Sequence, residues 1–85
     1  MKKAKKKASP RAPTSIDAYI GARLREGRTC MGLTQEAVGQ KLGVTYQQVQ
    51  KYENGKSRIT ASRLFDICEA LEVSLTSMFE RKLKP

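Results

Sequence analysis

The stretch of residues 32–55 reads GLTQEAVGQKLGVTYQQVQKYENG, and it decides the fold. It contains two short segments whose apolar residues recur at helical spacing. Thr34 opens the first segment and Gly43 closes it, while Thr45 opens the second and Gly55 closes it. Threonine is favoured at the start of a helix and glycine just after its end. Thr45 and Gln48 also have the spacing of a capping box. The stretch therefore predicts two helices joined by a tight turn.

The second of these helices, at about residues 45–54, has an outer face of unusual composition. At 100° per residue, Thr45, Val49 and Tyr52 share one face, which we expect to point inward. The opposite face carries Gln47, Gln50, Lys51 and Asn54, with Tyr46 beside them in the first turn. Glutamine can pair with N6 and N7 of adenine, and lysine with O6 and N7 of guanine. This face is therefore a candidate for reading bases. The alternative is that it is only a solvated helix face. Solvated faces commonly mix Glu with Lys, however, and this face has no acid.

Three further helices are expected around this pair, and no segment has the pattern of a strand. The first begins near residue 14 or 15, where Thr14 and Asp17 have the spacing of a capping box, and it ends at Gly32. Thr60 begins a fourth helix, and a short fifth helix ends near Phe79. The prediction is an all-α domain of five helices. Its expected core positions are Ile16, Ile20, Leu24, Met31, Val38, Leu42, Leu64, Ile67, Cys68 and Leu71.

Two glycines fall inside predicted helices, where each costs about 1 kcal/mol relative to alanine. Gly27 lies in the first helix and Gly39 in the second. We interpret Gly27 as a place of close approach, and we expect another helix to cross against Gly39.

The chain has 85 residues, enough for one small domain, and carries 17 Lys and Arg against 8 Asp and Glu. Residues 1–14 contain six of these positive charges and no acid. We expect residues 1–14 to be a disordered basic arm, residues 15–80 the folded domain and residues 81–85 a polar tail. The charge favours a polyanionic partner, nucleic acid before membrane. Two roles of the arm stay open, contact with phosphates and a gain in solubility.

Composition argues against several classes of function. The chain has no His, and Cys30 and Cys68 lie outside any metal-binding spacing, so we expect no metal and no cofactor. We expect no enzyme, because the sequence has no paired carboxylates suited to one cleft, no glycine-rich phosphate loop and no base beside either cysteine. No segment is long and apolar enough for a signal sequence or a membrane span, which favours a reduced cytoplasmic setting.

Three motifs together resemble a known family. They are Gly32-Leu33-Thr34-Gln35-Glu36, Leu42-Gly43-Val44-Thr45 and Val49-x-x-Tyr52-Glu53-Asn54-Gly55. In this combination the chain resembles the lambda-repressor/Cro-type helix-turn-helix proteins, also called the XRE family, from about Tyr19 to Phe79. The resemblance implies a compact five-helix DNA-binding domain of a bacterial transcriptional regulator. Two residues depart from the family pattern, Gly39 in place of alanine and the aromatic Tyr46.

The resemblance also implies roles for individual residues. The residues expected to contact bases in the major groove are Tyr46, Gln47, Gln50 and Lys51. For Tyr46 an alternative stays open, in which its ring shields the edge of the groove. The residues expected to contact phosphates are Gln35, Asn54, Lys56 and Arg58. Arg28 and Glu53 are expected to form a partly buried ion pair with a structural role.

The partner implied by the resemblance is double-stranded DNA, bound by two copies on a palindromic operator, most simply for repression at the bacterial nucleoid. The candidate dimer patch consists of Leu75, Met78, Phe79 and Leu83, and the alternative is that these residues close the core of the monomer. A protein partner also stays open, as does RNA, which the scarcity of exposed aromatic residues disfavours. The sequence points to no small-molecule ligand.

Overall fold

The structure, a computed structural model, describes residues 12–80 of the chain. It has four α-helices, α1 (Ser15–Cys30), α2 (Gln35–Leu42), α3 (Tyr46–Glu53) and α4 (Ala61–Leu71), followed by a four-residue 3-10 turn, Thr76–Phe79. Within this range there is no strand, so the predicted all-α class is confirmed. The same range contains no helix long and apolar enough to cross a membrane. Residues 1–11 of the predicted arm and the predicted tail at residues 81–85 lie outside it.

The predicted count of five helices is not confirmed in the described part of the chain. The segment expected to form the fifth helix is the 3-10 turn at Thr76–Phe79. The Ser77 N–H donates to the main-chain oxygen of Ser74 at 3.1 Å and to its Oγ at 3.2 Å. Hydrogen bonds to the third residue back define a 3-10 turn, which is tighter than an α-helix and seldom extends beyond a few residues.

All four α-helices begin after a threonine. The side-chain oxygens of Thr14, Thr34, Thr45 and Thr60 each accept a hydrogen bond from the main-chain N–H three residues further on, at 3.0–3.3 Å. Gly43, with φ of 74°, follows the last residue of α2 in the left-handed conformation that glycine adopts without strain. The helix starts expected from these threonines are therefore confirmed.

The core takes one fully buried side chain from each α-helix, namely Leu24, Val38, Val49 and Ile67. The other buried apolar residues around them are Ile20, Leu42, Tyr52, Ile59, Cys68, Ala70, Leu71 and Met78. Full burial of one large aliphatic side chain contributes about 1.5–3 kcal/mol. Because every helix inserts such a side chain, no helix can move away without opening the core, and α3 packs against α1 and α2.

Burial at the two ends of α1 differs from the prediction. Ile16 and Met31 were expected in the core but are 43% and 41% exposed, so these two assignments are wrong. The close contacts of α1 with α3 and α4, at Gly21 and Gly27, lie between these ends. Helical periodicity identifies side chains on one face, but it does not show how much of that face a neighbouring helix covers.

The two glycines inside helices both mark close approaches. An added Cβ at Gly27 would lie 2.7 Å from Cδ1 of Leu71, so the close approach expected there is confirmed. An added Cβ at Gly39 would lie 2.6 Å from the main-chain oxygen of Val44. The prediction that another helix crosses against Gly39 is therefore wrong. The turn after α2 folds back on Gly39 instead, because the Val44 N–H donates to the Gly39 carbonyl oxygen at 2.9 Å.

Asp17 is a buried charged residue, with 4% of its surface exposed. Its Oδ2 accepts hydrogen bonds from the main-chain N–H and the hydroxyl of Thr14, at 2.8 and 3.0 Å, which completes the predicted capping box. Its Oδ1 accepts a hydrogen bond from the Ile59 main-chain N–H at 2.9 Å. Burial alone would raise the pKa of the Asp17 carboxyl, but the hydrogen bonds from Ile59 and Thr14 and the nearby Arg58 hold this pKa below its ordinary value.

The lowered pKa of Asp17 makes stability depend on pH. The folded state binds this proton more weakly than the unfolded chain, in which aspartate titrates near about 3.9. The contribution of Asp17 is therefore present above that pH and is lost as the pH falls through the folded pKa. We expect the difference in unfolding free energy between wild type and Asp17→Asn, measured in urea, to shrink as the pH is lowered below about 3.9. A difference that stays constant would contradict this linkage.

Glu72, directly after α4, has φ of 57° and ψ of 44°, a left-handed conformation that strains a residue with a Cβ. We expect Glu72→Gly to stabilise the protein by about 0.5–1 kcal/mol, measured by urea unfolding, because glycine adopts this conformation freely. The matched control is Glu69→Gly, at an exposed interior position of α4, which should destabilise by about 1 kcal/mol. Loss of stability in both variants would mean that Glu72 is not strained.

Candidate nucleic-acid interface

α3 turns an apolar side inward and leaves a polar side outside. Val49 and Tyr52 are buried, with 0% and 6% of their surface exposed. Thr45, which was expected on the same inner face, is exposed, because its hydroxyl caps the helix. Tyr46 is 45% exposed. The other polar residues of the outer side, Gln47, Gln50, Lys51 and Asn54, are also exposed.

The C-terminal end of α3 lies directly against the backbone of α1. A Cβ added at Gly21 would overlap the main-chain oxygen of Tyr52, so a glycine is required for this contact. Gly55, with φ of 70°, packs in a similar way on Ala18, where an added Cβ would lie 2.9 Å from the Ala18 Cβ. A larger residue at either glycine would push α3 and its following loop away from α1. The outer side of α3 therefore has a fixed direction relative to α1.

An ionic network connects α1, α2 and α3. Arg28 and Glu53 form an ion pair, with Nε of Arg28 2.6 Å from Oε2 of Glu53 and a terminal nitrogen 3.2 Å from Oε1. Arg28 also donates to the main-chain oxygen of Leu33 at 2.9 Å. Gln35 Nε2 donates to Oε1 of Glu53 at 3.1 Å. This hydrogen bond holds the start of α2 against the end of α3. Because the Glu53 side chain is only 3% exposed, removal of Arg28 would leave a buried charge uncompensated.

Gln48 has a role that the sequence did not indicate. The spacing of Thr45 and Gln48 predicted a capping box, but the structure forms only half of it. The Gln48 N–H donates to Thr45 Oγ1 at 3.2 Å, whereas the Gln48 side-chain amide donates to Ser57 Oγ at 2.9 Å. The second half of the prediction was wrong, because Ser57 lies beyond α3 and local capping rules do not consider it. This contact fixes the loop after α3 to the helix.

The loop after α3 carries two of the residues expected on phosphates. Lys56 is exposed, and its main-chain N–H donates to the Lys51 carbonyl oxygen at 2.9 Å. The Arg58 side chain is 45% exposed, and its Nε lies 3.5 Å from Oδ2 of Asp17. The structure thus brings Lys56 and Arg58 into one loop at the end of α3, next to the exposed Asn54.

Charge is divided between two parts of the chain. Residues 41–58, which contain α3 and its loop, have four bases, and their one acid, Glu53, is paired with Arg28. Residues 66–80, which contain the end of α4 and the 3-10 turn, have four acids and no base. A polyanion is attracted to the first part and repelled by the second. The uneven charge therefore favours α3 and its loop as the contact surface for nucleic acid.

Comparison with known proteins identifies the family. The profile of a family described as Helix-turn-helix, HTH_3, matches residues 24–78. An uncharacterized HTH-type transcriptional regulator of Sinorhizobium medicae (strain WSM419) is 47% identical over 68 residues, which are 80% of this chain and 49% of that protein. An uncharacterized transcriptional regulator in the ATPase CF(0) region of Rhodospirillum rubrum is 48% identical over 64 residues, which are 75% of this chain and 59% of that protein. The chain thus spans about half the length of these curated relatives.

A solved structure has the same fold. The restriction-modification controller protein C.AhdI from Aeromonas hydrophila superposes with a TM-score of 0.71 and 27% identity, over 78% of this chain and 100% of that one. The family match covers more than half of the chain and includes α2, α3 and the loop between α3 and α4. The chain therefore belongs to the XRE-type helix-turn-helix family of transcriptional regulators.

Proposed function

We propose that this chain binds double-stranded DNA at specific sequences, with α3 in the major groove, and that it represses transcription by covering promoter DNA. The observation that carries the proposal is the outer side of α3, which is exposed, rich in amides and free of acids. An α-helix fits the major groove of B-DNA, where each base pair presents a distinct pattern of donors and acceptors. The names of the relatives, which are transcriptional regulators, support the regulatory role.

Gln47 and Lys51 are the residues best suited to select bases. They lie four residues apart in α3, hence on one side of the helix, and both are exposed. The amide of Gln47 can donate to N7 and accept from N6 of adenine, while the ammonium of Lys51 can donate to O6 and N7 of guanine. We place Tyr46 and Gln50 beside them, as contacts to the neighbouring base pairs.

Phosphate contacts on both sides of this face would set the register of α3 on the duplex. Gln35 lies at the N-terminal end of α2, where unpaired N–H groups and the helix dipole favour an anion. Asn54, Lys56 and Arg58 lie at the opposite end, after α3. Contacts of this kind position a protein on DNA without selecting a sequence. Selection is therefore assigned to the outer side of α3.

We further propose that two copies bind a palindromic operator, and that only part of the patch expected from the sequence takes part in pairing. Met78 is 2% exposed, and Phe79 is half-buried against the core, so these two residues serve the monomer. Leu83 lies outside the described residues. Leu75 is 55% exposed and is the described member of the expected patch that is available to a partner.

An apolar surface suited to the second copy lies on α4 and the segment after it. Phe65, Val73 and Leu75, here called the α4 patch, are 63%, 36% and 55% exposed and line one groove. A cluster of large exposed apolar side chains marks an interaction site more often than isolated ones do. The patch shares no residue with α3, so pairing through it would leave both reading faces available for half-sites about one helical turn apart.

The reading role of α3 is tested by Gln47→Ala and Lys51→Ala. On a duplex enriched by wild-type protein from a random pool, each change should weaken binding by about 1–3 kcal/mol, measured by titration of labelled DNA. The loss on an unrelated duplex should be smaller, because non-specific binding depends on phosphates. The matched control is Lys41→Ala, which removes the same charge from α2 and should weaken binding to both duplexes equally.

Two results would contradict this assignment. Wild-type affinity and selectivity in both variants would show that α3 does not read the DNA. Equal losses on the two duplexes for Lys51→Ala, as for Lys41→Ala, would move Lys51 from the bases to the phosphates.

The dimer is tested by Phe65→Glu, which places a charge in the α4 patch. We expect sedimentation at micromolar concentration to show a shift from dimer to monomer, and affinity for the palindrome to fall at least about tenfold, which is 1.4 kcal/mol. Ile16→Glu is the control for sedimentation, because Ile16 is a similarly exposed apolar residue on α1. A dimer that survives Phe65→Glu would place the interface elsewhere and leave the assignment of α3 intact.

A further inference from the structure

Asp17 is buried and charged, and none of the base or phosphate contacts proposed above uses it. We propose that Asp17 is a positioning residue for DNA binding, which holds the loop after α3 so that Arg58 meets the phosphates. The inference rests on the proposed function, because it concerns how the same DNA interface is assembled.

Capping of α1 accounts for only one of the two carboxylate oxygens of Asp17. Oδ2 accepts a hydrogen bond from the Thr14 main-chain N–H, which belongs to the capping box, and a second one from the Thr14 hydroxyl. Oδ1 accepts a hydrogen bond from the main-chain N–H of Ile59, which is itself a buried residue. A helix cap does not require burial, and burial of an ionised carboxylate is unfavourable unless it is hydrogen-bonded. The burial of Asp17 therefore serves the contact between α1 and the loop.

Both ends of the loop segment 56–58, here called the arch, are fixed to the same turn of α1. Gly55, before the arch, packs against Ala18 in a left-handed conformation. Ile59, after the arch, is hydrogen-bonded to Asp17, the neighbour of Ala18 in the chain. Removal of the Asp17 carboxylate would release one of these two ends.

The arch is also connected to α3. Its middle residue, Ser57, accepts a hydrogen bond from Gln48 Nε2 at 2.9 Å. Its first residue, Lys56, donates its main-chain N–H to the carbonyl oxygen of Lys51 at 2.9 Å. Lys51 is one of the proposed base-reading residues. The first part of the arch is thus held by α3, whereas its far end depends on Asp17.

The charge of Asp17 and its hydrogen bonds have opposite effects on DNA binding. The carboxylate lies 3.5 Å from Nε of Arg58, so its negative charge weakens the attraction of Arg58 for a phosphate. Its hydrogen bond to Ile59 holds the backbone next to Arg58, whose side chain remains 45% exposed. If charge dominates, loss of the acid raises DNA affinity. If positioning dominates, the same loss lowers it, and this is the outcome we expect.

The test compares Asp17→Ala with Thr14→Ala. Both substitutions remove hydrogen bonds of the capping box and should lower thermal stability, but Thr14→Ala leaves the contact between Asp17 and Ile59 in place. We expect Asp17→Ala alone to lower affinity by about tenfold, the effect of one lost hydrogen bond to a charged group. The loss should be equal on specific and unrelated duplexes, with a smaller slope of log affinity against log salt. Thr14→Ala should bind both duplexes as wild type does.

Two further variants separate positioning from a general loss of stability. In the Arg58→Ala background, Asp17→Ala should change affinity by less than about twofold, because the residue that it positions is absent. Asp17→Asn retains one oxygen for Ile59 and should restore most of the affinity that Asp17→Ala loses. The titrations are made in an osmolyte such as trimethylamine N-oxide, which favours the folded state, and are corrected for the folded fraction measured by circular dichroism.

Several outcomes would overturn the inference. If Asp17→Ala bound DNA as tightly as wild type or more tightly, Asp17 would have no positioning role in DNA binding. It would then act only through its charge or as part of the capping box. An Asp17→Ala protein that stays unfolded in the osmolyte would give Asp17 a role in stability alone. Full affinity of Arg58→Ala would remove the contact that Asp17 is proposed to position. None of these results alters the discrimination by Gln47 and Lys51, which tests the proposed function separately.

Discussion

The carbonyl oxygen of Tyr52 lies so close to the backbone of α1 that position 21 has room only for a hydrogen atom in place of a side chain. This contact places the last turn of α3 on α1, and the other contacts of α3 depend on that placement. It allows Arg28 to reach Glu53, and it brings the following loop close enough for Ile59 to bond with Asp17. A single methyl group at Gly21 would disturb all of these contacts together.

α3 has eight residues and would not be a stable helix by itself in water. Its rigidity comes from Val49 in the core and from polar contacts at its two ends. The Thr45 hydroxyl caps the first turn, and Glu53 is held by Arg28 and Gln35 at the last. A helix that selects bases must present its side chains in one orientation, because hydrogen bonds weaken steeply with angle. The packing of α3 thus links the fold to the proposed function.

Local chemistry allowed much of the fold to be predicted. In the sequence, Thr34 and Gly43 mark the start and the end of α2, and the structure shows the same two residues at its ends. The inner residues Val49 and Tyr52 were likewise evident from the helical period. The exposure of Ile16 could not be foreseen, because periodicity does not show where a neighbouring helix stops.

The contacts that organise the candidate site were beyond local rules. Asp17 was recognised as a cap from its spacing to Thr14, but its bond to Ile59 spans 42 residues of sequence. The contact between Gln48 and Ser57 likewise joins a helix to a loop beyond its end. Such polar contacts arise only once the helices have packed.

The central claim, that α3 lies in the major groove, is tested most directly by dimethyl sulfate, which methylates guanine N7 in the major groove and adenine N3 in the minor groove. On the enriched duplex, bound protein should protect guanine N7 in two segments about 10 base pairs apart and leave adenine N3 reactive. Reactive guanine N7 throughout, with adenine N3 protected, would contradict it.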